Sequence, residues 1–308
     1  MNIISVLSQV SVLFILLIIG IVLRKAKIMS DELGKGLSNL IIYATLPALI
    51  ITSMNYEFSK DMLNNGLIIL ALGGGIYLFA GLIAYLYVKI NKIENPDKGI
   101  YLFIIIFANV GFMGYPIIEV VFGKIGVFYG ALFNLWFNIL LWTVGVILAN
   151  PKNNTKINLK TIINPGTISI IIGITLFIFS IQLPGPLFNA LNSLGEATTP
   201  LAMIVVGSML SESKLSEVFT NIKLIGSAII KLIIIPLPIL FVLTLLPIPD
   251  IVKGVPIIIM SMPSAANAAI FARRYDSDYR LASQGVFLST LLSLVTIPIM
   301  ISILLNVI

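Results

Sequence analysis

From Gly66 to Val88 the chain runs 23 residues without one charged side chain, and comparable runs recur along all 308 residues. A helix needs about 20 mostly apolar residues to cross a bilayer core, where backbone groups find no water and must pair within the segment. The runs are continuous, unlike the alternating pattern of a barrel strand. With 58% hydrophobic residues, 10% charged residues and a mean hydropathy of +1.09, the chain lacks the polar surface of a soluble domain. An all-α membrane protein is therefore expected.

Ten spans follow from the runs: 3–23, 36–54, 66–88, 99–120, 126–149, 167–183, 187–210, 223–246, 254–272 and 281–305. Pro184, Gly185 and Pro186 form a tight breaker between the sixth and seventh. The basic residues orient these spans, because short cytoplasmic loops are enriched in Lys and Arg. Fifteen of the nineteen lie after odd-numbered spans: Arg24, Lys25, Lys27, Lys35, Lys89, Lys92, Lys98, Lys152, Lys156, Lys160, Lys214, Lys223, Arg273, Arg274 and Arg280. Only Lys60, Lys124 and Lys253 lie on the opposite side, and Lys231 falls inside a span. This predicts both termini outside a cell (plasma) membrane of bacterial type. No basic segment precedes the first apolar run, so that run is expected to stay as a span rather than be cleaved.

Composition removes many functions. There is no cysteine and no histidine, which takes away thiolate nucleophiles, imidazole bases and the usual zinc ligands. No metal or other cofactor is expected. The net charge of +6 is dispersed through short loops and makes no nucleic-acid surface. No GxxxxGK[ST] motif is present, so the chain itself hydrolyses no ATP. An intramembrane enzyme would need a nucleophile with a base or paired acids at depth, and only Glu196 and Lys231 are candidates for depth.

Ten spans divide into two units of five, residues 1–149 and 167–308, joined by a short cytoplasmic linker at 150–166. An odd-numbered unit repeated in tandem inserts its second copy upside down, as many carriers do. Pro47 in the second span and Pro200 in the seventh each lie about 16 Å along their spans, at 1.5 Å per residue. The fourth and ninth spans are interrupted by NVGFMGYP (109–116) and SMPSAAN (261–267). Prolines 47, 116, 200 and 263 are accordingly expected to break or hinge their helices near the midplane. Broken helices are tolerated in lipid only inside protein or beside a water-filled cavity, and half-helix N-termini there suit a carboxylate. Asn109 and Asn267 would add amide donors and Ser264 a hydroxyl. Transport of a small organic anion is the function these features suggest.

Charges inside the membrane need a reason. Lys231 has two open readings: snorkelling to the headgroups, or attracting the anion or imitating a bound cation beside the broken ninth span. Glu196 could bind H+ or Na+ in exchange, or cap a helix. Glu119 is expected at the outer interface, and Asp276 and Asp278, with Arg273 and Arg274, in a solvated turn.

In LPALIITS (46–53), NVGFMGYPII (109–118), TTPLAMIVVGSML (198–210), MPSAANAAIFARRY (262–275) and LASQGVFLSTLLSLVTIPI (281–299), the chain resembles the auxin efflux carrier family. That family includes plant PIN auxin exporters and bacterial carriers of small organic acids. The likeness covers nearly the whole chain, and Asn109, Met113, Gly114 and Pro116 match its pattern well. It implies a fold similar to bile-acid symporters and sodium/proton antiporters: ten helices in two inverted five-helix repeats, with helices 4 and 9 broken and crossed. Spans 1, 2, 6 and 7 would form a scaffold that often dimerises, and spans 3–5 and 8–10 a moving transport domain. Substrate would bind at the crossing, to which Asn109, Pro116 and Pro263 carry over. The implied activity is a secondary carrier of a carboxylate, malate-like or auxin-like, working by alternating access in the direction of efflux. A sodium-coupled organic-anion symporter of the bile-acid type is the alternative. Two departures from plant members disfavour auxin: only residues 150–166 follow the fifth span, and the third span lacks an acidic and basic pair.

Overall fold

In the computed structural model, which describes residues 3–150, 163–210, 218–275 and 277–308, the chain is helical throughout apart from short connections. The residue 151–162 part of the expected linker, with Lys152, Lys156 and Lys160, lies outside the described residues, as do Lys214 and Asp276. Joining α and π segments separated by at most one residue gives eleven helices among the described residues. They are α1 (Ile3–Lys25), α2 (Asp31–Ser53), α3 (Lys60–Ile90), α4 (Asp97–Ile106), α5 (Val110–Leu148), α6 (Pro165–Ile178), α7 (Gly185–Leu210), α8 (Ile222–Thr244), α9 (Asp250–Ser261), α10 (Asn267–Arg274) and α11 (Tyr279–Val307). Seven of them, α1, α2, α3, α5, α7, α8 and α11, are long and apolar enough to cross a membrane, and α6 is a shorter apolar helix. The chain is a multi-pass membrane protein. Helix α5 runs 39 residues, about twice what one crossing needs, and Gly123 interrupts it at φ 66°, ψ −163°. Only glycine adopts that backbone without strain.

Local chemistry sets several helix starts. Ser30, Asn164, Asn221 and Asp278 accept from the N–H groups of Leu33, Thr167, Leu224 and Leu281 at 3.2, 3.1, 3.2 and 2.8 Å. Each satisfies a donor that the first turn leaves without an intrahelical partner.

Proline is handled in two ways. Helices α2 and α8 continue through it, because a π turn precedes each: Ile41–Thr45 before Pro47 and Ile230–Ile234 before Pro236. The wider π ladder shifts the bonding register where proline has no N–H to give. Helix α7 continues past Pro200 with a single irregular residue, Ala197, because Pro200 falls in the first turn after it. The interruptions expected at Pro47 and Pro200 are therefore accommodated kinks, not open breaks. The open breaks are Phe107–Asn109, between α4 and α5, and Met262–Ala266, between α9 and α10.

The contacts divide the chain into two compact units. The first takes the described residues of Met1–Leu70, Gly111–Leu135 and Ile163–Glu212, and the second those of Ala71–Val110, Trp136–Ile162 and Ser213–Ile308. In the first, α1 packs along the second half of α7, and the end of α2 packs on α6 and the start of α7. The α1–α7 contact is backbone against backbone: a Cβ on Gly20 would strike the carbonyl of Ile204, and one on Gly207 the carbonyl of Leu17. Small residues at such contacts let membrane helices approach closely. In the second unit α11 is the hub, touching α4, α8, α9 and α10. Phe103, Phe107, Phe137, Trp142 and Phe271 form a continuous aromatic cluster within it, with centroid separations of 4.7 to 5.8 Å.

Gly207→Val is expected to lower the thermal unfolding midpoint of the purified protein in detergent, with an overpacking cost of about 1–3 kcal/mol. Gly36→Ala, where a Cβ meets nothing within 4 Å, is the control and should not lower the midpoint, since alanine inside a helix is favoured over glycine.

Candidate functional site

The two open breaks meet in the second unit. Ala108 and Ser264 form an isolated antiparallel bridge: the Asn109 N–H donates to the Pro263 carbonyl at 2.8 Å, and the Ala265 N–H to the Phe107 carbonyl at 2.9 Å. Each unwound segment thus satisfies backbone groups of the other, in a buried interior where an unpaired amide is costly. Pro263 fits because it offers the carbonyl the bridge uses and lacks an N–H that would need a partner.

Side chains complete the joint. Ser264 Oγ donates to the Ile104 carbonyl at 2.6 Å, taking up one of the last carbonyls of α4. Its own N–H donates to Ser289 Oγ of α11 at 3.0 Å, and Ser289 Oγ donates in turn to the Gly285 carbonyl at 2.8 Å. Ser261, Ser264, Ser289, Thr290 and Ser293 are all buried. Four helices, α4, α5, α9 and α10, therefore end beside this joint of bonded backbone and hydroxyls. The N-terminal end of α10, with Asn267 as its first residue and only part-buried, offers positive dipole there.

Of the residues singled out in the sequence, Asn109, Pro263 and Ser264 are brought together by these bonds, with Asn267 three residues along the chain from Ser264. Asn109 is 6% exposed. Met113, Gly114 and Pro116 belong to the first unit. Met113 and Gly114 lie in the π turn Val110–Gly114, and Pro116 follows it as Pro47 and Pro236 follow theirs. Pro116 is thus inside a helix, not at the break. Ser289 was not anticipated. Its signal in sequence is the spacing of Gly285, Ser289 and Ser293, four residues apart on one face of an apolar helix.

The ionisable candidates fall in both units. In the first, Lys124 Nζ donates to Asn192 Oδ1, and Asn192 Nδ2 donates to Glu196 Oε1 at 2.8 Å. Thr199 Oγ1 donates to Glu119 Oε2 at 3.2 Å. Glu196 is exposed, while Glu119, placed by sequence at the interface, is part-buried and tied to the start of the second half of α7. In the second unit Lys231 is 0% exposed, so its stem does not carry the ammonium to the headgroups. Among the described residues no group of three or more Asp or Glu is placed to hold a metal ion.

Comparison with known proteins places the chain among transporters. A family model described as "Membrane transport protein" matches residues 5–158 and 152–301. An uncharacterized transporter of Methanocaldococcus jannaschii is 30% identical, over 97% of this chain and 99% of its own. An uncharacterized transporter of Methanothermobacter thermautotrophicus is 25% identical, over 92% of this chain and 94% of its own. A Rhizobium meliloti protein named "Putative malonate transporter" is 24% identical, over 85% of this chain and 84% of its own.

Ser289→Ala removes the acceptor that holds the Ser264 N–H and leaves a buried donor unpaired. The expected outcome is a loss of about 1–3 kcal/mol in stability, read as a lowered unfolding midpoint in detergent. Ser293→Ala, on the same face but donating only to the Thr290 carbonyl, should cost less.

Proposed function

This chain belongs to the membrane transport protein family, that of the auxin efflux carriers, and from that premise we propose that it is a secondary carrier of small organic anions. As a member of that family it is a transporter and not an enzyme. Dicarboxylates of the malonate and malate kind are the proposed substrates, supported by the relative named for malonate. The single observation that carries the reading is the bridge between the two broken segments. Hydrogen-bonded, unwound backbone at membrane depth is what discontinuous-helix carriers use to bind a charged solute.

The proposed architecture has ten crossings in two inverted repeats of five, residues 1–149 and 167–308. Helix α4 with α5 up to Gly123 makes the fourth crossing, the rest of α5 the fifth, and α9 with α10 the ninth. Spans 1, 2, 6 and 7 serve as scaffold and dimer contact, and spans 3–5 and 8–10 move. The grouping of α1, α2, α6 and α7 in one compact unit supports that division, although the same unit also takes the start of α3 and Gly111–Leu135 of α5. Both termini face outward from a plasma membrane, a topology supported by the fifteen basic residues on one side. The anion binds at the crossing, to Asn109, Ser264, Asn267 and the N-terminal end of α10, with Pro263 shaping the opened segment and Met113, Gly114 and Pro116 as the proposed flexible start of α5. The flux is outward, coupled to H+ or Na+ through Glu196 or Lys231.

Uptake and efflux of labelled malonate, malate and indole acetate in proteoliposomes test this directly. Asn109→Ala and Asn267→Ala are expected to lower malonate kcat/KM by about tenfold to a hundredfold each, as loss of a buried polar contact does. The proteins should remain monodisperse. Unchanged kinetics in both variants would place the anion elsewhere.

A further inference from the structure

A lysine is the side chain least suited to burial, because its ammonium holds three donors and a full charge that water otherwise solvates. Lys231 is nonetheless 0% exposed, and its Nζ has no hydrogen-bond partner among the described residues. It lies in the π turn Ile230–Ile234 of α8, which packs against α4 and α9, two of the four helices that end at the breaks, and against α11, which carries Ser289. Nine residues of α8 separate it from Ile222, about 13 Å of rise, and eleven separate Ala108 from Asp97, about 16 Å. The bridge and the π turn that carries the amine therefore each lie about 13 to 16 Å along helices that pack on one another within one compact unit.

Among the described residues, the elements packed on this turn bring no carboxylate to its level along α8. Helix α4 carries Asp97, Lys98 and Tyr101 in its first turns, and α9 carries Asp250 and Lys253, paired with each other at 3.6 Å. Helix α11 carries Tyr279 and Arg280 at its start, α8 itself Lys223, and the segment from Pro236 to Thr244 no titratable group. All of these sit near helix ends. Of them Asp97 is the other candidate for a proton: its carboxyl is pushed up by burial and by Asp278, against the opposing pull of Lys223.

We propose that Lys231 is the proton-carrying counter-charge of the transported anion, an inference that rests on the carrier reading above. The amine takes a proton from the aqueous side as a carboxylate reaches the crossing, and ammonium and carboxylate then neutralise one another in a medium that penalises either alone. When the carboxylate leaves, the proton returns to water with it. Each anion thus moves with one proton: a monocarboxylate crosses without net charge, and a dicarboxylate dianion moves one negative charge instead of two. The substrate class this selects is a carboxylate small enough to bring an oxygen to Nζ.

The test uses the full chain in proteoliposomes, with labelled malonate outside, a pH dye inside and the potential clamped. Linkage predicts about one proton per malonate for the wild type, with acid on the malonate side accelerating entry. Lys231→Arg keeps a charge that cannot be given up, so malonate should still move while the proton ratio falls to about zero. Lys231→Met should abolish the pH dependence of whatever exchange remains, and Asp97→Asn should leave the ratio at about one. A wild-type ratio near zero would overturn the inference and leave the carrier reading standing. A ratio of one that survives in Lys231→Met or Lys231→Arg, or one lost in Asp97→Asn, would overturn it too. No malonate movement by the wild type under any gradient would remove the dicarboxylate reading and the inference with it.

Discussion

The backbone bridge between Phe107–Asn109 and Pro263–Ala265 is the interaction on which the rest of the second unit depends. Hydrocarbon offers no hydrogen bonds, so a helix that opens there must find partners in protein. Here the two opened segments are each other's partners, and Ser264 and Ser289 complete the accounting at the Ile104 carbonyl and the Ser264 N–H. The need for close approach then shapes the packing: Gly285 of α11 leaves room where a Cβ would press on Ile104. Neither segment could be extended alone at this depth, which couples the conformation of one broken helix to that of the other.

How much of this was legible depended on whether the deciding partner was near in sequence. The membrane class, seven of the ten expected crossings as single long apolar helices, and the opening at SMPSAAN could be read from local composition, whereas the opening near NVGFMGYP falls just before it, at Phe107–Asn109. Pro47 and Pro200 gave the same local signal, yet the chain does not open at either. The π turn before Pro47 and the first-turn position of Pro200 absorb the missing donor, and neither adjustment is written in residue type. Pro116 misled in the same way, since the chain opens at Phe107–Asn109 and has resumed a helix by Tyr115. Ser289 and the burial of Lys231 come from tertiary neighbours far along the chain, which a single sequence does not display.

The two units carry different kinds of polar chemistry. The first holds a chain of side chains, Lys124 to Asn192 to Glu196, beside the Thr199–Glu119 bond, and part of it is open to solvent. The second holds hydroxyls bound to backbone and one buried amine. Under the proposal that this amine takes up a proton with its cargo, the second unit suits a negative solute, whereas a site for a cation would be built from carboxylates and carbonyls.

The central claim is that the anion occupies the crossing. The chain has no native cysteine, so Ala266→Cys, in the opened segment beside Asn267, supplies a single reporter. Malonate is expected to slow its alkylation by a membrane-permeant maleimide in a saturable way, with half-protection at the concentration that half-saturates transport. An alkylation rate unchanged at saturating malonate, in a variant that still transports it, would contradict the account.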